Sequence, residues 1–389
     1  MADSRPEFGQ SRKLDRPQRF DDDVALHKIR VARTFALPID MNAPLPSMLS
    51  YPCADPPAPG TVREIAPGIH WLRMPLPFAL DHINLWLLSD GDGWTQIDSG
   101  YGNVATRDIW RMHFAGSLGG KSVRRVVATH YHPDHLGNAA WLAARFDCPV
   151  IMPQAEYLTA HAVAGEHSGY GASAMRTLLR SHGLSSEHLA ALEARGNPYR
   201  RGVPELPACF DRLADGDEVC IAGNRWRVIS GYGHSPEHAS LYCQPLSVCI
   251  SGDMLLPRIS TNVSVWPIEP DGDPLRRFLN SLQAFADLPG DTLILPSHGL
   301  PFIGAGARST QLREHHAARL AELAAAAATP KTASDIVPVL FRRELDLQQR
   351  FFAMGEAIAH LNHLWHGGLL ARSMDDDGTI RFVRAAELR

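Results

Sequence analysis

The stretch "VRRVVATHYHPDHLGNAA", residues 123–140, places His130, His132, Asp134 and His135 directly after an apolar run. A short apolar run bounded by polar residues reads as a buried strand. The turn that follows it then carries four ligand-type side chains within six residues. Neutral imidazoles and carboxylates suit Zn2+ and neighbouring first-row ions, so the cluster reads as part of a metal cage. Gly137, with no side chain, lets the helix opening near His135 pack close to that cage.

Four other segments end the same way. "WTQIDSG" runs into Asp98, and "WRVISGYGHSPEH" into His234 with His238 four residues on; "LSVCISGDML" reaches Asp253 and "DTLILPSHG" reaches His298. Ligands at strand ends are held by rigid elements while the adjoining loops leave room for substrate. No cysteine joins the set, which fits an open catalytic site better than a closed structural one. A carboxylate such as Asp253 can bridge two cations and offset their repulsion. A water between them loses a proton near neutral pH and becomes a nucleophile, so Asp134 and Asp253 are the carboxylates expected at the reacting centre.

Around these motifs, strands and helices alternate, which indicates α/β layers. "TVREIAPGIHWLRMP" carries two strands, "HINLWLLSD" and "GWTQIDSG" form a hairpin across "DGDG", and a helix covers about 104–116. Residues 154–205 read as a helical insertion, followed by strands to Asp253, a helix in "DPLRRFLNSLQAFADL" and the strand before His298. Residues 306–389 read as helices, the last through "GEAIAHLNHLWHGG", closed by a hairpin turned at "DDDG", a winged-helix-like appendage. Residues 1–60 carry mixed charge and a Pro-rich piece that suits neither helix nor central strand. They are expected to form a wrapping or partly ordered extension, with a homodimer contact left open.

The series resembles the metallo-β-lactamase-fold hydrolases, and within them the dinuclear glyoxalase II-like branch, whose signature reads THxHxDHxG. Here it is "THYHPDHLG", 129–137, and the later landmarks stand as "GHSPEH", "SGDML" and "PSHG". The resemblance spans roughly residues 61–305 and implies an αββα sandwich with its site at one edge of the sheets. Carried over residue by residue, it implies that His130, His132 and His234 hold one ion. Asp134, His135 and His298 would hold a second, and Asp253 would bridge the two. Asp98 matches an aspartate that supports the histidines from behind; His238 matches a histidine that many relatives have without using it as a ligand. The long helical segment before His234 and the tail after 305 depart from true glyoxalase II.

The expected activity is hydrolysis of an activated acyl bond by a hydroxide bridging two divalent ions, Zn2+ first and Fe or Mn next. A thioester of acyl-CoA, acyl-carrier protein or glutathione type is favoured, because a thiolate leaves with little acid help; lactone and β-lactam follow. Tyr170, Arg258 and Trp266 are candidates to line the pocket of a small-molecule acyl substrate, under a roof formed by the insertion. Cleavage of RNA or DNA is a second class, and a non-catalytic metal-binding regulator a third. The 389-residue chain has a formal net charge of −4, and its tail has scattered arginines rather than a basic stripe, which argues against nucleic acid. Its composition, 45% hydrophobic and 21% charged, is ordinary for a globular protein. The sequence shows no secretory h-region and no run long enough for a membrane span, so a cytoplasmic protein is expected, with its six cysteines as free thiols.

Overall fold

Seven strands cross the first sheet in chain order: β1 (Arg63–Ala66), β2 (Ile69–Pro75), β3 (His82–Asp90), β4 (Gly93–Ile97), β5 (Val123–Val127), β6 (Val150–Pro153) and β7 (Asp211–Leu213). The first four are antiparallel, with Asp90 opposite Gly93 at the expected hairpin corner. From β4 to β7 the neighbours run parallel. Parallel neighbours need crossovers. Here these are α1 (Val104–Ala115), then α2 (Pro133–Leu136) with α3 (Ala139–Phe146), then α4 (Gln154–Ala164), α5 (Ala172–Ser181), α6 (Ser186–Ala194) and α7 (Tyr199–Gly202). The second sheet holds β8 (Glu218–Ile221), β9 (Asn224–Gly231), β10 (His238–Cys243), β11 (Val248–Gly252), β12 (Leu293–Pro296) and β13 (Phe302–Ile303). Its parallel pair, β11 and β12, is joined through α8 (Pro274–Ala286). This computed structural model describes residues 48–78 and 80–385.

The period of two along each strand divides the apolar residues between two faces. On β3, Trp86 and Leu88 face the second sheet, where they meet Trp226, Val228, Leu241 and Ile250. Ile83, Leu85 and Leu87 point the other way, onto Trp110 of α1, Leu142 of α3 and Ala160 of α4. The outer face of the second sheet, with Ile229, Tyr242, Cys249 and Ile294, is covered by Leu275, Phe278, Leu282 and Phe285 of α8. The spacing of those four puts them on one stripe of the helix. The result is helix, sheet, sheet, helix, the αββα order.

The tail is α9 (Ala305–Ala326), α10 (Ala333–Leu340), α11 (Leu347–His366) and the hairpin β14 (Leu370–Met374) with β15 (Ile380–Arg384). It does not hang free. Leu312, Ile336, Met354, Ile358 and Phe382 share a core with α8, and Leu178, Leu179 and Leu189 of the insertion join it. The last helix begins at Leu347 rather than at Gly355, because Asp346 and Gln349 form a reciprocal capping box. Of the N-terminal extension, residues 1–47 lie outside the described residues; Ser50 pairs with Ile303 at the edge of the second sheet and Leu49 is buried. All six cysteines are free, with Cys209 and Cys220 exposed. No helix among the described residues is long and apolar enough to cross a membrane.

Candidate metal centre

The strand ends of both sheets meet at one edge. His130 and His132 leave β5, Asp134 and His135 sit on α2, His234 follows β9, Asp253 follows β11 and His298 follows β12. One ligand atom from each of His130, His132, His234 and Asp253 falls within 4.8 Å of the others, and the same holds for Asp134, His135 and His298. Asp253 faces both groups. Its Oδ2 stands 3.4 Å from His234 Nε2, and its Oδ1 stands 3.5 Å from His135 Nε2 and 3.4 Å from His298 Nε2.

Partners behind the imidazoles decide which nitrogen faces inward. His234 Nδ1 donates to Asn262 O at 2.8 Å, and His298 Nδ1 to His82 O at 2.8 Å. His135 Nδ1 donates to Asp98 Oδ2 at 2.8 Å. Each of these leaves Nε2 turned into the site. There, His130 Nε2 lies 2.8 Å from His132 Nδ1 and 3.2 Å from His234 Nε2. Burial, with the neighbouring imidazoles, holds His130 well below the usual histidine range and His132 at about 3, so both present lone pairs near neutral pH. In the other group, burial opposes a charge on His298, but Asp253 and Asp134 outweigh it and push its pKa up to about 10. That excess of carboxylate is a field for cations. Two buried atoms of the ligand groups, His135 Nε2 and Asp253 Oδ1, have no hydrogen-bond partner among the described residues. Buried polar atoms are rarely left so. Converging lone pairs, these orphans and a nitrogen–oxygen donor set all fit divalent ions.

Asp98 is the support expected from the sequence. It adopts φ +57°, a left-handed backbone that non-glycine residues rarely take. There its carboxylate accepts from Thr129 N at 2.8 Å and Thr129 Oγ1 at 2.9 Å besides His135. His238 is no member of either ligand group; its Nε2 accepts from Asp253 N at 3.1 Å and so seats the Asp253 main chain. None of the three pocket candidates belongs to either ligand group. Trp266 packs its ring 6.1 Å from that of Phe351 on α11, Tyr170 lies within electrostatic reach of Tyr131, and Arg258 within that of Tyr51.

One supporting residue had no signal in the sequence. Glu156, in the first turn of α4, is fully buried. It accepts from Tyr131 N at 2.9 Å, Ser235 Oγ at 2.8 Å and Glu237 N at 2.5 Å. It therefore ties the loop of His130 and His132 to the loop of His234. A glutamate in a first helical turn ordinarily answers the helix dipole on the surface, and only its burial shows otherwise.

Gly137 has a different reason from the one expected. A Cβ there would stand 2.4 Å from Gly202 O, 2.4 Å from Pro133 O and 2.5 Å from Gly102 N. The closeness needed is between three backbones, not between helix and ligand side chains. It also ends α2 after one turn, and Asn138 then donates from Nδ2 to Gly100 O and Tyr101 O. Backbone cannot yield as a side-chain tip can, so Gly137→Ala should cost about 3 kcal/mol. Chemical denaturation against the parent chain checks this, and a loss below ~1 kcal/mol would show that the loops move apart freely.

A family model described as the metallo-beta-lactamase superfamily matches residues 79–298. A second, described as metallo-beta-lactamase-like, C-terminal domain, matches residues 320–385. Among solved structures, a beta-lactamase domain protein from Burkholderia ambifaria is 47% identical, covering 87% of this chain and 98% of that one, with a TM-score of 0.81. A metallo-beta-lactamase family protein from Thermus thermophilus is 30% identical over 82% of this chain and 100% of that one, with a TM-score of 0.70. The hydroxyacylglutathione hydrolase of Idiomarina loihiensis is 24% identical over 178 residues, 46% of this chain and 48% of that protein. The chain thus spans about half the length of that curated relative.

Proposed function

Because this chain belongs to the metallo-β-lactamase superfamily, we propose that it is a metal-dependent hydrolase of an activated acyl bond, a thioester foremost. The observation that carries this reading is the convergence of His130, His132, His234, Asp134, His135 and His298 in two groups, with Asp253 reaching both. Each group is the seat of one divalent ion, Zn2+ by the balance of imidazole and carboxylate. When bound, such ions supply Lewis acidity toward the acyl oxygen and bring the pKa of water near neutrality.

The chain itself does the holding. Asp98, His82 and Asn262 aim the imidazoles, Glu156 keeps the two histidine loops in register, and burial of His130, His135 and His298 keeps the local dielectric low, so charges formed during acyl transfer are felt strongly. The thioester is favoured on the leaving group: a thiolate departs near neutral pH without a strong acid beside it. A hydroxyacylglutathione is itself a thioester, and a protein named for its hydrolysis is among the relatives. The substrate is accordingly a small acyl thioester.

Thiol release from a panel of acyl-CoA and glutathione thioesters, with and without prior chelation, tests this. Chelator-sensitive turnover, restored by Zn2+, is the expected result. Silence across the panel from protein holding two ions would sink the thioester and send the search to lactones.

A further inference from the structure

The segment from Asp253 to Asp273, between β11 and α8, contains neither helix nor strand, yet Met254, Leu255, Thr261, Val263 and Val265 in it are buried. Buried main chain outside regular structure must find its hydrogen bonds elsewhere. Here the C-terminal helices supply them. Arg308 of α9 donates from Nε to Leu256 O at 2.6 Å and from Nη2 to Ile259 O at 2.8 Å. On α11, Gly355 O accepts from Val265 N at 3.2 Å, and the helix comes so near that a Cβ on Gly355 would meet Ser264 Cβ at 2.8 Å. Two turns later, Asn362 Nδ2 donates to Pro270 O and Gly272 O at 2.9 and 3.0 Å.

Between those anchors, Glu356 Oε2 accepts from Asn262 Nδ2 at 3.2 Å, while Ser264 Oγ donates to Asn262 Oδ1 at 2.8 Å. Both ends of the amide are held. The main-chain oxygen of this same Asn262 is the acceptor for His234 Nδ1. We propose that Glu356 is a positioning residue of the metal centre: through Asn262 it fixes the carbonyl that sets the tautomer and aim of His234. The C-terminal helices thereby complete the seat of one ion. The other seat does not depend on them, since His135 and His298 are aimed by Asp98 and His82 of the first sheet.

This rests on the two-ion reading above, and its test separates the two. Stepwise Zn2+ affinities are measured by chelator competition on the full chain, with metal-free melting temperature followed in parallel. Loss of a partner behind a ligand typically weakens metal binding about 10–100-fold. Glu356→Ala should show that loss for one ion and leave the other within about threefold of the parent. Glu356→Gln keeps an acceptor for Asn262 and should restore tight binding. Asn262→Ala, which retains the carbonyl and removes the side chain's ties to Glu356 and to Ser264, should reproduce the loss, and it carries the test if Glu356→Ala does not fold. Unchanged affinities, equal weakening of both ions, or a Gln variant no better than Ala would overturn the proposal while the two-ion reading stands. A parent chain that takes up fewer than two ions overturns both.

Discussion

Asp253→Ala should lower kcat/KM on any substrate the thioester panel reveals by about three orders of magnitude, a loss of about 4 kcal/mol of transition-state stabilisation. Asp253 is the one residue among those described whose carboxylate reaches both ligand groups, His234 on one side and His135 and His298 on the other. Burial opposes its ionisation, but His298 and His135 outweigh that and hold it well below the usual carboxylate range, so it stays ionised. Removing it takes away the charge that offsets two adjacent cations and leaves His298 and His135 facing each other across the gap. Metal analysis should accordingly show fewer than two ions per chain. Asp253→Asn keeps the shape and loses the charge, so it should bind better than Asp253→Ala and still lose most activity. An Ala variant that holds two ions and turns over within tenfold of the parent would remove Asp253 from the centre.

Glu156→Ala should be the most damaging change outside the ligand set. It strands Tyr131 N, Ser235 Oγ and Glu237 N without their acceptor in a fully buried place. An unsatisfied buried donor costs about 1–3 kcal/mol, so the three together set an expected loss of about 3–9 kcal/mol by urea denaturation. Because those donors belong to both histidine loops, activity should fall with stability. The pH dependence carries a second signature. Burial outweighs the three donors and pushes the Glu156 carboxyl up to about 7 from an ordinary value of 4.5. Between those two values the folded chain keeps a proton that the unfolded chain has released. The contribution is therefore complete below about 4.5 and is lost as pH rises through about 7, about 3 kcal/mol in all. Glu156→Gln cannot titrate, so the parent should lose its stability advantage over this variant between about pH 4.5 and 7. Parallel curves for the two proteins would mean that Glu156 is ionised throughout.

Much of the centre is legible in the primary structure, because its logic is local. An apolar strand followed within three residues by a ligand-group residue recurs at His130, His234, Asp253 and His298, and the supporting Asp98 follows β4 in the same way. β3 is apolar on both faces, so the assignment of Trp86 and Leu88 to one core and of Leu85 and Leu87 to another appears only in the structure; the αββα order was implied by the family resemblance. Caps were harder: the start of α11 at Leu347 turns on Asp346 and Gln349, two residues of a polar stretch.

By itself, then, the sequence determined which side chains can bind metal and that strands and helices alternate in α/β layers, since strand-end spacing and element period are set by residues next to one another; the αββα order came with the family resemblance. Beyond Asp98, only the tertiary structure decided what stands behind the ligands. Glu156 and Glu356 read as surface carboxylates on helices until Tyr131, Ser235 and Asn262 are brought against them. Gly137 is likewise an ordinary helical glycine until Gly102 and Gly202 close on it. Burial and hydrogen-bond demand are properties of what packs on a residue, and those neighbours come from distant parts of the chain.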